Sequence, residues 1–85
     1  MEIKLVINGS SGSFRAIVDN VEAGFISFAL RPNAKIILEH TEVFPEFSGK
    51  GIAKKLVLSA VRYAKENNLA VEPICEYAQK VLASM

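Results

Sequence analysis

The sequence predicts an α+β domain with a mainly antiparallel sheet of about five strands, one long helix after the fourth strand and a short C-terminal helix. In the first half of the chain, four strand-like segments follow one another on short turns. A segment with strong helical periodicity follows, and then another short strand-like run. A chain of 85 residues has room for one hydrophobic core, so we expect a single domain, residues 1–85.

The four predicted strands are separated by residues that favour turns. In the first strand, Ile3, Leu5 and Ile7 alternate with polar residues, as in a half-buried strand. The cluster Gly9–Ser13 ends it, and later turns contain asparagine, which tolerates left-handed geometry, or proline, which restricts φ. The short turns imply an antiparallel meander. The predicted strands are Glu2–Ile7, Phe14–Val18, Ala23–Leu30 and Lys35–Thr41. The later turns are Asp19-Asn20 and Arg31-Pro32-Asn33.

The second half of the chain begins with the long helix. Leu69–Ile74 then reads as a fifth strand, in which Pro73 indicates an edge position or a distorted pairing. Glu76–Ala83 reads as the C-terminal helix. The long helix is predicted from apolar residues that recur at helical spacing and form one buried stripe: Ile52, Ala53, Leu56, Val57, Ala60, Val61 and Ala64.

Composition excludes several classes of protein. Apolar residues make up 51% of the chain and charged residues 22%, which is ordinary for a globular domain. The longest uncharged stretch, Leu5–Phe14, is too short and polar for a membrane span, and no signal peptide is visible, so we expect a cytoplasmic protein without a membrane partner. Cys75 and His40 are the only residues of their kinds, so we expect no internal disulfide and no metal site.

Charge is unevenly distributed along the chain. Between Ser48 and Lys65 there are five basic residues and no acidic one, whereas the rest of the chain has five basic and nine acidic residues. A phosphorylated ligand, a nucleic acid or a merely solvated helix face would each account for this basic segment. Nucleic acid is disfavoured, because the rest of the chain is acidic and Tyr63 is the only aromatic residue among these cations.

The segment Ser48–Ala53 places two glycines just before the predicted helix. The first N–H groups of a helix have no acceptor within it and lie at the positive end of its dipole, so they bind anions where the backbone can be approached closely. Gly49 and Gly51 permit such an approach. The spacing matches neither a P-loop nor a dinucleotide fingerprint, and a plain strand-to-helix turn is the alternative interpretation.

From His40 to Val57 the chain reads HTEVFPEFSGKGIAKKLV, which resembles the cofactor-binding motif of the GNAT superfamily of N-acetyltransferases. The resemblance implies a loop whose backbone amides receive the pyrophosphate of acetyl-coenzyme A. Gly51 and Ala53 fit its last two defined positions, and Ser48 stands where the family usually has Gln or Arg. Lys50, Lys54 and Lys55 can supply positive charge instead. The implied cofactor-binding residues are Val43, Ser48, Gly49, Lys50, Gly51, Ile52, Ala53 and Lys54.

The end of the chain extends this resemblance. Residues 73–77 read Pro-Ile-Cys-Glu-Tyr and are similar to the Pro-x-Cys-Pro-Tyr sequence of a minimal, single-domain GNAT-like subfamily, with Glu76 in place of the second proline. The resemblance then covers essentially the whole chain. It implies a mixed sheet whose fourth and fifth strands splay apart to admit the pantetheine arm, with Val43 offering backbone hydrogen bonds to it.

Three side chains are candidates for catalysis. Acetyl transfer to an amine needs a base for the ammonium and an acid for the leaving thiolate. Cys75 can protonate the thiolate or act as a nucleophile, and the alternative is a space-filling cysteine. His40 has a suitable intrinsic pKa for a base and shares a strand face with Glu42, or it only orders the strand end. The resemblance adds Tyr77 as a second proton donor, the alternative being a core tyrosine.

Together these features predict an acetyl-coenzyme A-dependent N-acetyltransferase that acts on an unidentified amine. A non-catalytic acyl-coenzyme A binding module and a small protein-interaction domain are the alternatives. The sequence determines neither the acceptor nor the oligomeric state.

Overall fold

The computed structural model describes all residues, Met1–Met85. A short 3-10 helix, Pro45–Phe47, precedes helix α1 (Ile52–Glu66), and helix α2 (Glu76–Ala83) closes the chain. The order of four strands, helix, strand and helix is confirmed, as is the α+β class. The strands are β1 (Glu2–Asn8), β2 (Ser11–Val18), β3 (Val21–Arg31), β4 (Lys35–Val43) and β5 (Ala70–Pro73).

The five strands form one mixed sheet in the order β1-β2-β3-β4-β5. β1 to β4 pair antiparallel as a meander, and β5 pairs parallel with β4 after the crossover through α1. Pro73 is the last residue of the edge strand β5. A missing N–H costs little at such a position, so the prediction of an edge strand is confirmed.

Turn chemistry explains the connections, and two expectations needed correction. Asp19 and Asn20 have φ values of 50° and 65°, the left-handed pair of a tight hairpin turn. In the first connection, β2 begins at Ser11 and not at Phe14, because Ser11 already pairs with both β1 and β3. In the third, the left-handed residue is Ala34, with φ 59°, and not the asparagine before it.

The core lies between one face of the sheet and the two helices. Phe28 and Leu38 from the sheet pack against Leu56 and Val57 of α1, and all four are fully buried. Ala78 and Val81 extend the core into α2. The predicted stripe of α1 is therefore the face that packs on the sheet. No helix of the chain is both long and apolar enough to cross a membrane.

Candidate functional site

β4 and β5 separate before β4 ends. Their pairing stops at Leu38 opposite Pro73, where the N–H groups of Ile74 and Cys75 both donate to the carbonyl of Leu38, at 3.0 and 3.1 Å. β4 continues to Val43, so the side of residues 39–43 that faces away from β3 has no strand partner. A gap therefore opens between β4 and the start of α2.

Backbone groups of β4 point into this gap. Phe44 donates its N–H to the carbonyl of Ala23 in β3, at 2.9 Å. Because successive residues of a strand direct their hydrogen bonds to opposite sides, the N–H and C=O groups of Val43 and Thr41 point away from β3 and into the gap. The role that sequence resemblance implied for Val43 is therefore open to its backbone.

The loop before α1 presents a row of free amides. No amide from Gly49 to Lys54 donates to an acceptor within the protein, and no side chain caps the helix. Gly49 and Gly51 have φ values of 77° and 73°, and an added Cβ at either position would meet no atom within 4 Å. The amides are thus accessible at the positive end of a 15-residue helix, which is suitable for a phosphate group.

The gap and the loop meet in one cleft of about 290 Å³. Its wall combines the end of β4, the 3-10 helix, the loop, the first turn of α1 and one side chain of α2. Seven residues singled out by sequence lie on it, together with Phe47: Val43, Ser48, Gly49, Gly51, Ile52, Ala53 and Tyr77.

The polar side chains of the loop do not point uniformly into this cleft. The hydroxyl of Ser48 donates to the carbonyl of Pro45 at 3.0 Å, so it holds the loop in shape. Lys50 and Lys54 are exposed and lie outside the cleft wall. Their charges make the potential near the loop more positive.

Cys75 is half-buried and precedes the first residue of α2. Its thiol donates to Oγ1 of Thr41 at 3.5 Å. Partial burial raises the pKa of this thiol, but the Thr41 hydroxyl, which donates to the sulfur once the thiol has lost its proton, and nearby backbone amides outweigh that effect, so the pKa lies below its ordinary value. The amides belong to Ala78, Tyr77 and Thr41.

His40 lies on the other face of β4. It pairs with Ser27, whereas Thr41 pairs with the fully buried Ile26 on the helix side. The ring of His40 is largely exposed, and its Nε2 lies 3.3 Å from Oε1 of Glu42, as the shared strand face predicted. The structure therefore brings Tyr77 and the loop together but does not place His40 in the same cleft.

Sequence reasoning missed two residues of this region. Thr41 contacts Cys75, and the two residues are 34 positions apart in the chain, so only the folded structure brings them together. Gly24 lies beside the end of β4, where an added Cβ would come within 2.5 Å of the Glu42 carbonyl oxygen and 3.0 Å of the Val43 Cα. A glycine inside an otherwise apolar strand was the available signal for such a close approach.

Residues 13–84 match the profile of the family described as GCN5-related N-acetyl-transferase. The chain therefore belongs to this family, which is the GNAT superfamily named above. The divergence of β4 from β5 and the free amides before α1 are in the positions that sequence resemblance to this family implied.

Individual relatives agree with this assignment. A GCN5-like protein of Staphylococcus aureus is 28% identical, and its structure matches with a TM-score of 0.69. The match covers 95% of this chain and 78% of the Staphylococcus aureus chain. A Bacillus anthracis protein described as a streptothricin acetyltransferase, whose crystal structure contains acetyl coenzyme A, is 26% identical with a TM-score of 0.62, over 73% of this chain and 36% of its own.

Among curated proteins, Protein NATD1 of Xenopus tropicalis is 44% identical over 43 residues. The match covers 51% of this chain and 39% of NATD1. The chain thus spans less than two fifths of NATD1 and of the Bacillus anthracis protein.

Proposed function

We propose that residues 1–85 act as one acetyl-coenzyme A binding domain that transfers acetyl to an amine. The observation that carries the proposal is the row of unpaired amides from Gly49 to Lys54, which opens onto the cleft where β4 leaves β5. Family membership supports the class of reaction. The acetyl-coenzyme A in the related Bacillus anthracis structure supports the choice of cofactor.

The residues present fit this cofactor. Six successive free amides and two unobstructed glycines suit a diphosphate, because an anion can approach the backbone closely there. The carbonyl of Thr41 and the N–H and C=O groups of Val43, which point into the gap, suit the amides of a pantetheine arm. Lys50 and Lys54 add positive charge beside the loop. When bound, acetyl-coenzyme A supplies the acetyl group as a thioester.

We propose that residues on both faces of β4 transfer protons, with donors on the helix side and an acceptor on the open face. On the helix side, the thiol of Cys75 or the hydroxyl of Tyr77 donates a proton to a leaving thiolate. The lowered pKa of Cys75 also suits it as a nucleophile that accepts the acetyl group itself. On the open face, His40 with Glu42 takes a proton from an ammonium that approaches from that face.

Ligand-dependent stabilisation tests the cofactor part of the proposal without knowledge of the acceptor. Thermal unfolding is followed with acetyl-coenzyme A, coenzyme A and ATP, since a ligand that binds only the folded state raises its stability. We expect both coenzyme A forms to stabilise the protein and ATP to have little effect. No stabilisation by any of them at millimolar concentration would refute the site and leave the glycine loop as a turn.

Turnover tests the catalytic part. Release of free coenzyme A is measured with a panel of primary amines for the parent, Cys75→Ala and His40→Ala. We expect each variant to lose activity by about tenfold or more, the range of single acid–base groups. Equal rates for all three proteins would exclude both residues from the chemistry. Mass spectrometry after incubation with acetyl-coenzyme A tests whether Cys75 acts as a nucleophile. If Cys75 carries no acetyl group during turnover, this role is contradicted.

A non-catalytic acyl-coenzyme A binding module is the second candidate. It is favoured by the position of His40, which lies across β4 from the cleft, so that no histidine adjoins Tyr77 there. Stabilisation by coenzyme A without turnover on any amine would select this alternative. In either case we propose a reducing compartment such as the cytoplasm, where the thiol of Cys75 stays reduced.

A further inference from the structure

The outer edge of β1 has no strand partner. Leu5, Val6 and Ile7 are 42%, 49% and 44% exposed, and the strand has seven residues and no proline. The other edge strand, β5, has four residues and ends in Pro73, which are features that protect an edge. A long apolar edge of the first kind is a template for pairing with another strand.

The hydrogen-bonding groups that face outward can be assigned. Leu30 in β3 donates its N–H to the carbonyl of Ser10. Since successive residues bond to opposite sides, Gly12 and Phe14 of β2 direct their N–H and C=O groups to β3, as Ser10 does, and Arg15 directs its groups to β1. Lys4 is opposite Arg15. The N–H and C=O groups of Ile3, Leu5 and Ile7 therefore point to the free edge.

Two charges on this edge have no partner. Glu2 and Lys4 make no ion pair within the chain. Lys4 lies opposite Arg15, whose guanidinium is already bound to Glu22 at 2.9 Å. Antiparallel pairing with a second copy about a two-fold axis at Ile3 sets Glu2 of each chain opposite Lys4 of the other. The strand is thus complementary in charge to itself.

This register pairs residues 1–5 of the two strands, with Leu5 opposite Met1, and it covers apolar side chains beside that part of the strand. Ile3 lines two adjoining cavities between β1 and α1. Leu58 and Lys55 contribute to one of them, Leu5, Tyr63 and Glu66 contribute to the other, and Arg62 borders both. A second copy centred on Ile3 brings another Ile3 side chain to the mouth of this groove, where it covers surface that the monomer leaves exposed.

We propose that this protein forms a two-fold dimer by antiparallel pairing of its β1 strands, which joins the two sheets into one. Ile3 faces Ile3 across the axis, and two Glu2–Lys4 pairs flank it. The coenzyme A cleft lies at the opposite edge of the sheet, between β4 and α2, so it stays open in both copies. The dimer is independent of the function proposed above.

Charge reversal tests the interface, with sedimentation velocity from low micromolar to several hundred micromolar chain. The parent is expected to sediment as two chains at the upper concentrations. Lys4→Glu or Glu2→Lys alone places like charges opposite each other twice, so dissociation is expected to rise by about tenfold or more. The double variant restores opposite charges and should restore the dimer. Lys80→Glu, a matched charge change on α2, should dimerise as the parent does.

Some results would overturn the proposal. A parent that has the mass of one chain at every concentration would leave the β1 edge to a different partner. A dimer that survives both single reversals, or a double variant that stays dissociated, would place the contact elsewhere. Stabilisation by coenzyme A is measured on the same samples and should be equal in all variants, which separates the dimer from the cofactor site.

Discussion

Substitution of Gly51 by valine should abolish cofactor binding at a cost in stability that can be measured separately. Gly51 has φ 73°, and the space where its Cβ would stand is empty. A side chain there blocks close approach to the amides before α1. The left-handed backbone of a non-glycine residue costs roughly 1–2 kcal/mol. For a domain of this size, that corresponds to a fall in Tm of about 5–15 °C.

Gly9→Val is the matched control. Gly9 has φ 67° and equally empty surroundings, but it lies in the β1–β2 turn, far from the cleft. Both variants should therefore lose similar stability in the absence of ligand. Any difference in ligand response between them then reports the position of the side chain and not backbone strain.

The assay is thermal unfolding with and without acetyl-coenzyme A. Saturation at a hundredfold excess over Kd adds about 2.7 kcal/mol, which should raise the Tm of the parent and of Gly9→Val by about 10–20 °C. Gly51→Val should show no rise. A full rise in Gly51→Val would refute the assignment of the phosphate site, and equal loss in both variants would show that strain, not position, is responsible.

Three further results are expected. Thr41→Val removes a hydrogen bond that favours the Cys75 thiolate, so the pH midpoint of alkylation by iodoacetamide should move upward. Thr41→Ser keeps the hydroxyl and should leave this midpoint unchanged. An unchanged midpoint in Thr41→Val would contradict the contact. Gly24→Ala should lower the free energy of unfolding, measured by urea titration, by about 1–3 kcal/mol and should weaken coenzyme A binding, because the added Cβ meets the backbone of Glu42 and Val43. Unchanged stability would show that the strands can separate there without cost. His40→Ala should slow turnover yet keep full stabilisation by coenzyme A, and loss of stabilisation would place His40 in the cofactor site instead.

Local patterns were sufficient for most of the fold. The buried face of α1 follows from the helical spacing of residues such as Leu56 and Val57, and the left-handed turn at Asp19 and Asn20 follows from their side chains. Both depend on interactions among residues close in the chain. Even locally, competition between neighbours can reverse a propensity, as in the third turn, where Ala34 takes the left-handed conformation.

The site was predictable in its parts but not in its geometry. The glycine loop and its resemblance to the GNAT motif singled out residues from Val43 to Lys54 without reference to a structure. Whether their amides were free depended on what else packed there, and the hydroxyl of Ser48 turned out to be bound to Pro45. Hydrogen-bond satisfaction is a property of the whole fold, because any segment of the chain can supply the missing partner.

By itself, the sequence determined the class of fold, the order of its elements and the loop that belongs to the family motif. Only the tertiary structure decided that β5 leaves β4 after Leu38, that Cys75 comes within 3.5 Å of Thr41, and that His40 lies on the other face. The physical reason is separation along the chain. Periodicity and turn propensity act over a few residues, whereas the cleft depends on the register of a parallel pair joined through a helix, which the packing of the entire core sets.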